Sequence, residues 1–214
     1  TALLAVALIA ALMPASAIAA PQPTRFLTLI DGNCVGGFST KGSSVEFNWR
    51  SAKDVLKGNA TIPADPDSGY WEFCGDRRVR PGDRLRATVS GVGRQLVVPT
   101  LTMRMDRVTN RIFGRAPART NVNLIAPYAV TATANGKGKW SYDPGSSDFY
   151  GGISGRLEWT SPANDVIEVR TFAAQLIVWI GSARFDGWTM TPRQVVKAQL
   201  YEQPGDALRG WRRV

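Results

Sequence analysis

Val45-Glu46-Phe47-Asn48-Trp49-Arg50 alternates apolar and polar residues over its whole length. Successive side chains of a β-strand point to opposite faces, so Val45, Phe47 and Trp49 share one face while Glu46, Asn48 and Arg50 share the other. The alternation recurs with Leu85, Ala87 and Val89 against Arg84, Arg86 and Thr88, and with Leu101, Met103 and Met105 against Thr102, Arg104 and Asp106. Half-buried strands of this kind form antiparallel sheets with one face on a core. Two such sheets stacked face to face bury both apolar sides. Turn formers punctuate the runs at Ala64-Asp65-Pro66-Asp67-Ser68-Gly69, Arg80-Pro81-Gly82-Asp83 and Asp143-Pro144-Gly145-Ser146-Ser147. With 21 Gly, 13 Pro and little helical periodicity, the expected class is all-β. One short helical turn is expected at Ser51 to Lys57.

Outward from this strand the chain repeats itself. Gly37 precedes Val45 by eight residues, Gly114 precedes Val122 by eight, and Gly187 precedes Val195 by eight. Gly69-Tyr70-Trp71-Glu72-Phe73 matches Gly138-Lys139-Trp140-Ser141-Tyr142, a turn glycine entering a strand with two aromatics on one face. Asp83 to Val89 is aligned with Gly155 to Thr160, and Leu101 to Met105, read as the strand closing one unit, with Leu176 to Ile180. The expected organisation is tandem antiparallel β-sandwiches: repeat one over 26–109, repeat two over 110–184, and the start of a third over 185–214, cut short at Val214.

The amino-terminal Thr1 to Ala19 carries no charge and runs from an apolar stretch through Pro14 to Ala17-Ile18-Ala19, the form of a secretory signal peptide with an A-x-A cleavage site. It is too short to span a bilayer, which takes roughly 20 apolar residues. No basic region or Met precedes it, so a signal helix truncated at its own start is expected over 1–19. Export places the two cysteines, Cys34 and Cys74, in an oxidising compartment, where a disulfide between them is expected. Cys74 is out of phase with Trp71 and Phe73, which makes the bridge an edge staple and not a pin between sheets.

The chain carries 26 Lys and Arg against 17 Asp and Glu, a net +9. Such an excess could steer the chain to anionic surface polymers or polysaccharide. The basic residues are dispersed, however, with short clusters only at Arg77-Arg78-Val79-Arg80 and Arg209 to Arg213, and an ordinary solvated exterior accounts for them as well. Nucleic acid is not expected, because no aromatic-studded RNA-binding pattern or zinc-finger spacing accompanies the charge. No histidine occurs anywhere. That removes His-dependent triads, His-liganded zinc and imidazole acid–base chemistry. No nucleophile elbow, phosphate-binding loop or dinucleotide fingerprint is present. No cofactor is expected.

The segment Asp106-Arg107-Val108-Thr109-Asn110-Arg111-Ile112-Phe113-Gly114-Arg115-Ala116-Pro117, with Val122 and Gly138-Lys139-Trp140 after it, resembles the tandem immunoglobulin-like or carboxypeptidase-regulatory-like repeats of bacterial exported proteins. The resemblance implies immunoglobulin-like sandwiches at the cell surface or outside the cell, serving as adhesive, spacer or presenting modules. It brings no catalytic residues. The expected function is a non-catalytic stalk, adhesive or binding array; the alternative is a carbohydrate-binding accessory region of a larger exported hydrolase.

Candidate sites are few. Asp65 and Asp67 in one turn, and Asp143 and Asp148 in another, offer oxygen clusters of the kind calcium takes, although turn chemistry accounts for the same residues. Glycoside hydrolysis needs only two carboxylates, and Glu46, Glu72, Glu158 and Glu168 are the strand-borne ones, placed by alternation on solvated faces. Trp49, Trp71 and Trp140 keep step with aromatic neighbours and are assigned to the core. Trp179, Trp188, read as lying in a turn, and Tyr150 are the candidate ligand-facing aromatics.

Overall fold

The computed structural model describes residues 25–146 and 152–173 and, as backbone, the strand segments 175–178, 185–188, 197–202 and 207–213. Thr1 to Ala19, the expected signal segment, lies outside the described residues. Every described regular element is a strand.

The first seven are β1 (Arg25–Leu29), β2 (Cys34–Phe38), β3 (Ser44–Arg50), β4 (Leu56–Pro63), β5 (Tyr70–Cys74), β6 (Arg84–Val89) and β7 (Val92–Val97). They pair in the orders β1-β2-β5 and β4-β3-β6-β7. The next seven are β8 (Thr102–Asp106), β9 (Arg111–Arg115), β10 (Asn121–Ala126), β11 (Val130–Thr133), β12 (Lys139–Tyr142), β13 (Ser154–Thr160) and β14 (Val166–Phe172). Their orders are β8-β9-β12 and β11-β10-β13-β14, so one three-plus-four plan is built twice. Beyond them β15 (Gln175–Val178) pairs with β16 (Phe185–Trp188), and β17 (Lys197–Glu202) with β18 (Ala207–Arg213).

Apolar burial follows the alternation. In the first unit Trp71 of β5 packs edge-on against Phe26 of β1 at 5.9 Å and meets Phe47 of β3 at 5.5 Å across the sandwich. Trp49, Phe47 and Trp71 are all at most 1% exposed. Full burial of side chains this size is worth about 2–3 kcal/mol each in apolar transfer. In the second unit Met103, Ile112 and Trp140 face Leu124, Leu157 and Ile167, all buried. The polar end of Trp49 is satisfied inside: its Nε1 donates to Asp83 Oδ2 at 2.9 Å, and the same carboxylate takes the Lys57 ammonium at 2.6 Å.

The match of Gly37 with Gly114 has a clear physical cause. Gly37 stands opposite Trp71 on one side and Phe26 on the other, and Gly114 stands opposite Trp140 and Met103 in the same way. A Cβ at Gly37 would lie 2.0 Å from the Arg25 carbonyl oxygen, and one at Gly114 would lie 1.8 Å from that of Thr102. The first two strands of each unit approach too closely for any side chain there. Gly187 stands opposite Leu176 in the same register.

Three expectations are corrected. Ser51 to Lys57 holds no helix: Ser51 to Val55 turn between β3 and β4, and Leu56 and Lys57 already belong to β4, while Ser51 Oγ accepts the amides of Lys53 and Val55 and Asp54 sits at φ 64°. A hydroxyl that binds nearby amides competes with a helix at such a position. Leu101 to Met105 does not close the first unit. Thr102–Asp106 pairs with β9 and opens the second unit's three-stranded sheet. The alignments of Asp83 to Val89 and of Leu101 to Met105 are each two residues out, since Ala87 holds the place of Leu157 and Met103 that of Leu176. A slip of two leaves every side chain on its original face, so periodicity cannot detect it.

The two units are joined through a shared sheet. β14 runs parallel to β1, with Leu27, Thr28 and Leu29 beside Val166, Ile167 and Glu168. The second unit's four-stranded sheet thereby continues into the first unit's three-stranded sheet, giving seven strands in the order β11-β10-β13-β14-β1-β2-β5. All other strand pairs are antiparallel among the described residues.

Candidate binding faces

Two outer sheet faces carry concentrated polar chemistry. The first is that of the seven-stranded sheet, where a shallow groove of about 470 Å³ crosses the seam between units. Residues directly opposite on β13 and β14 are alike in charge: Arg156 faces Arg170, and Glu158 faces Glu168. Like charges in that position repel. Here they are neutralised along and across the strands. Arg156 pairs with Glu158 and, at 2.9 Å, with Glu168, which also takes Arg170. Glu158, the nearest and strongest acceptor, pushes the Arg156 guanidinium further into its charged form. Beside this lattice Tyr70 donates to Glu72 at 2.9 Å, and burial followed by the Glu72 carboxylate raises its phenol pKa. Phe38 lies 5.6 Å from the Tyr70 ring and is 37% exposed.

The second face belongs to β8-β9-β12. Its inward rows, Met103-Gly114-Trp140 and Met105-Ile112-Tyr142, leave Thr102-Arg115-Lys139 and Arg104-Phe113-Ser141 in rows on the outside. A groove of about 1200 Å³ lies over these outer rows, with Arg111, Thr133 and Asn135 along its rim. Phe113 is half-buried between Arg104 and Ser141. Arg111 approaches Asp143 at 3.8 Å. Arg104, Arg115 and Lys139 are exposed and have no carboxylate partner among the described residues.

The candidate calcium loops are held by their own hydrogen bonds. Asp65 Oδ1 accepts the amides of Ser68 and Asp67 at 2.7 and 3.0 Å and the Ser68 hydroxyl at 2.8 Å. The Ser68 amide, then its hydroxyl, then the Asp67 amide hold the Asp65 carboxyl below the usual carboxylate range. Asp67 is exposed in the same turn. Asp143 Oδ1 accepts the Gly145 amide at 2.9 Å. Asp148, Tyr150 and Trp179 lie outside the described residues. Trp188 ends strand β16 opposite Gln175 and is not in a turn. The structure brings Glu158 and Glu168 together with Glu72 on one groove, and places Glu46 on the other sheet, on β3.

Cys34 and Cys74 form a disulfide between directly opposite residues of β2 and β5, with Cα atoms 4.1 Å apart. β5 is the edge of its sheet, so the bridge staples an edge. The sulfurs sit near Glu72, but both are consumed by the bond.

The basic outer face went unseen in the sequence because its members come from three strands. The local signal was there: Arg111, Phe113 and Arg115 alternate out of phase with Ile112 and Gly114. The contiguous basic run Arg77-Arg78-Val79-Arg80 is instead an anchored loop in which Val79 is buried and Arg80 pairs with Asp31.

No known family and no curated protein matches this chain. Among solved structures it is similar to a biofilm-associated protein's BSP domain, with 9% identity, a TM-score of 0.30, and coverage of 72% of this chain and 29% of the other. It is also similar to a tetra-tandem repeat in the extending region of a large adhesion protein, with 12% identity, a TM-score of 0.25, and coverage of 72% and 51%. The chain thus spans about half the length of one and under a third of the other. Likeness this distant carries no argument about function.

Proposed function

We propose that this protein is an exported, non-catalytic repeat array displayed at the cell surface, acting as a stalk or adhesive of immunoglobulin-like sandwiches. The observation that carries the reading is the seam between units. Domains joined only by a linker move independently by default. Here β14 adds to β1 in parallel, Ile30 donates its amide to the Glu168 carbonyl at 2.9 Å, and the Phe26 amide donates to Asp165 Oδ1 at 3.0 Å. The second unit is therefore hydrogen-bonded into the sheet of the first, which suits a module that must hold distance and direction under load. The recurrence of the glycine register at Gly187 supports a third unit built on the same plan.

The test is topological and cellular together. An antibody raised against residues 102–172 should stain intact producing cells, and external protease should remove the staining. Staining that appears only after permeabilisation overturns the reading.

A further inference from the structure

Cross-strand neighbours of like charge are destabilising unless something neutralises them. On the seven-stranded sheet the like pairs Arg156/Arg170 and Glu158/Glu168 neutralise one another. On the outer face of β8-β9-β12 the equivalent repulsion is left standing: Arg115 lies directly opposite Lys139, Arg104 adds a third cation one row along, and none of the three has a carboxylate partner among the described residues. The nearby acids are engaged elsewhere. Asp106 is held in its own turn by the Val108 and Thr109 amides, and Asp143 faces Arg111. Charge left unpaired in the free protein is available to an anion.

The same face has what a sugar chain needs besides charge. Phe113 presents an aromatic surface at the centre of the cations, and Ser141 and Asn135 supply exposed hydroxyl and amide groups beside it. The groove of about 1200 Å³ is open, so it admits a polymer laid across it. The topologically equivalent face of the first unit lacks this arrangement. Leu27, Gly36 and Glu72 occupy its central row, and the acids of β13 and β14 lie alongside.

We propose that the outer face of β8-β9-β12 is a binding site for an acidic polysaccharide, with Arg104, Arg115 and Lys139 holding carboxylate or sulfate groups and Phe113 packing against a sugar ring. Phe113 decides between polymers of equal charge. A purely phosphate-tracking surface would need the cations alone, whereas the aromatic among hydroxyl and amide groups fits a carbohydrate. The site rests on the adhesive reading and gives it a ligand class.

The experiment uses the full chain and calorimetric titration with polygalacturonate, neutral dextran and double-stranded DNA as probes. Polygalacturonate should bind, more weakly as salt rises, because exposed charges are screened. Dextran should not. The combined variant Arg104→Gln, Arg115→Gln, Lys139→Gln should weaken binding about tenfold or more. Phe113→Leu should weaken it severalfold with the salt dependence unchanged. Arg84→Gln with Arg86→Gln, on the other sheet, should bind as wild type. All these positions are on outer faces, and an unchanged unfolding midpoint verifies that each variant is folded. Wild-type binding by the triple variant overturns the site. So does DNA bound as tightly as polygalacturonate with no effect of Phe113→Leu, which would leave a generic polyanion surface. Loss of the site with cell-surface staining intact removes this proposal and leaves the array standing.

Discussion

Arg94 in the first unit reaches Asp165 in the second at 2.7 Å, in a pair whose side chains are only 17% and 4% exposed. Asp165 is fully engaged: its Oδ1 also accepts the Phe26 amide, and its Oδ2 accepts the Ser161 hydroxyl at 2.8 Å. Arg94 donates as well to the Ala163 carbonyl at 2.7 Å. The short loop before β14 is thus tied to both the first and the last strand of the preceding unit.

Removing one partner of a buried ion pair costs about 3 kcal/mol or more, because the other charge is left without compensation. Asp165→Ala should therefore destabilise the seam by about that much, and should expose the Phe26 amide to hydrogen exchange. Amide exchange of the two proteins under native conditions checks this. Unchanged protection at Phe26 would show that the backbone pairing of β1 and β14 holds the seam unaided.

Gly114 should be the least replaceable glycine of the second unit. A methyl group there would meet the Thr102 carbonyl oxygen at 1.8 Å and Trp140 Nε1 at 3.0 Å, and the first of these is backbone that moves only with β8. Gly114→Ala should cost about 2–3 kcal/mol, as overpacking of a filled space does. Gly93→Ala is the comparison, because its new Cβ would meet nothing nearer than the Thr88 hydroxyl at 3.5 Å. That change should stay within about 0.5 kcal/mol of wild type. Urea denaturation of both variants separates the outcomes, and equal stability would mean the strands can part at Gly114 without penalty.

Acid should loosen two surface turns together. Ser68 and Asp67 lower the pKa of Asp65, and Thr109, through its hydroxyl and then its amide, with Val108 after it, lowers that of Asp106. A carboxyl whose folded pKa is depressed stabilises the fold above its unfolded value, about 3.9 for Asp, and the gain is lost as pH falls through the lowered folded value. Stability measured by urea denaturation should thus decline as the pH falls from about 3.9 through the lowered folded values. The double variant Asp65→Asn, Asp106→Asn keeps an accepting Oδ1 at both positions but cannot titrate, so its decline should be shallower. Parallel profiles for the two proteins would refute the assignment.

Much of the architecture was legible in the residues themselves. A strand's side chains alternate with a period of two, so Val45, Phe47 and Trp49 had to share a face. Likewise, Gly37 and Gly114, each eight residues before a Val and followed by a Trp-bearing strand, marked one structural step. The cysteine pair and its place at an edge followed from the phase of Cys74 against Trp71. The same periodicity hid what it could not resolve. A shift of two residues changes no face, so the alignment of β6 with β13 slipped unseen, and Leu101 to Met105 read as the strand that closes one unit when Thr102–Asp106 opens the next. Only tertiary structure decided that β8 opens the second unit, that β14 lies parallel to β1, and that Arg104, Arg115 and Lys139 from three strands meet around Phe113. These depend on which strands become neighbours. Local alternation determines the face a residue takes; the packing of distant strands determines what stands beside it.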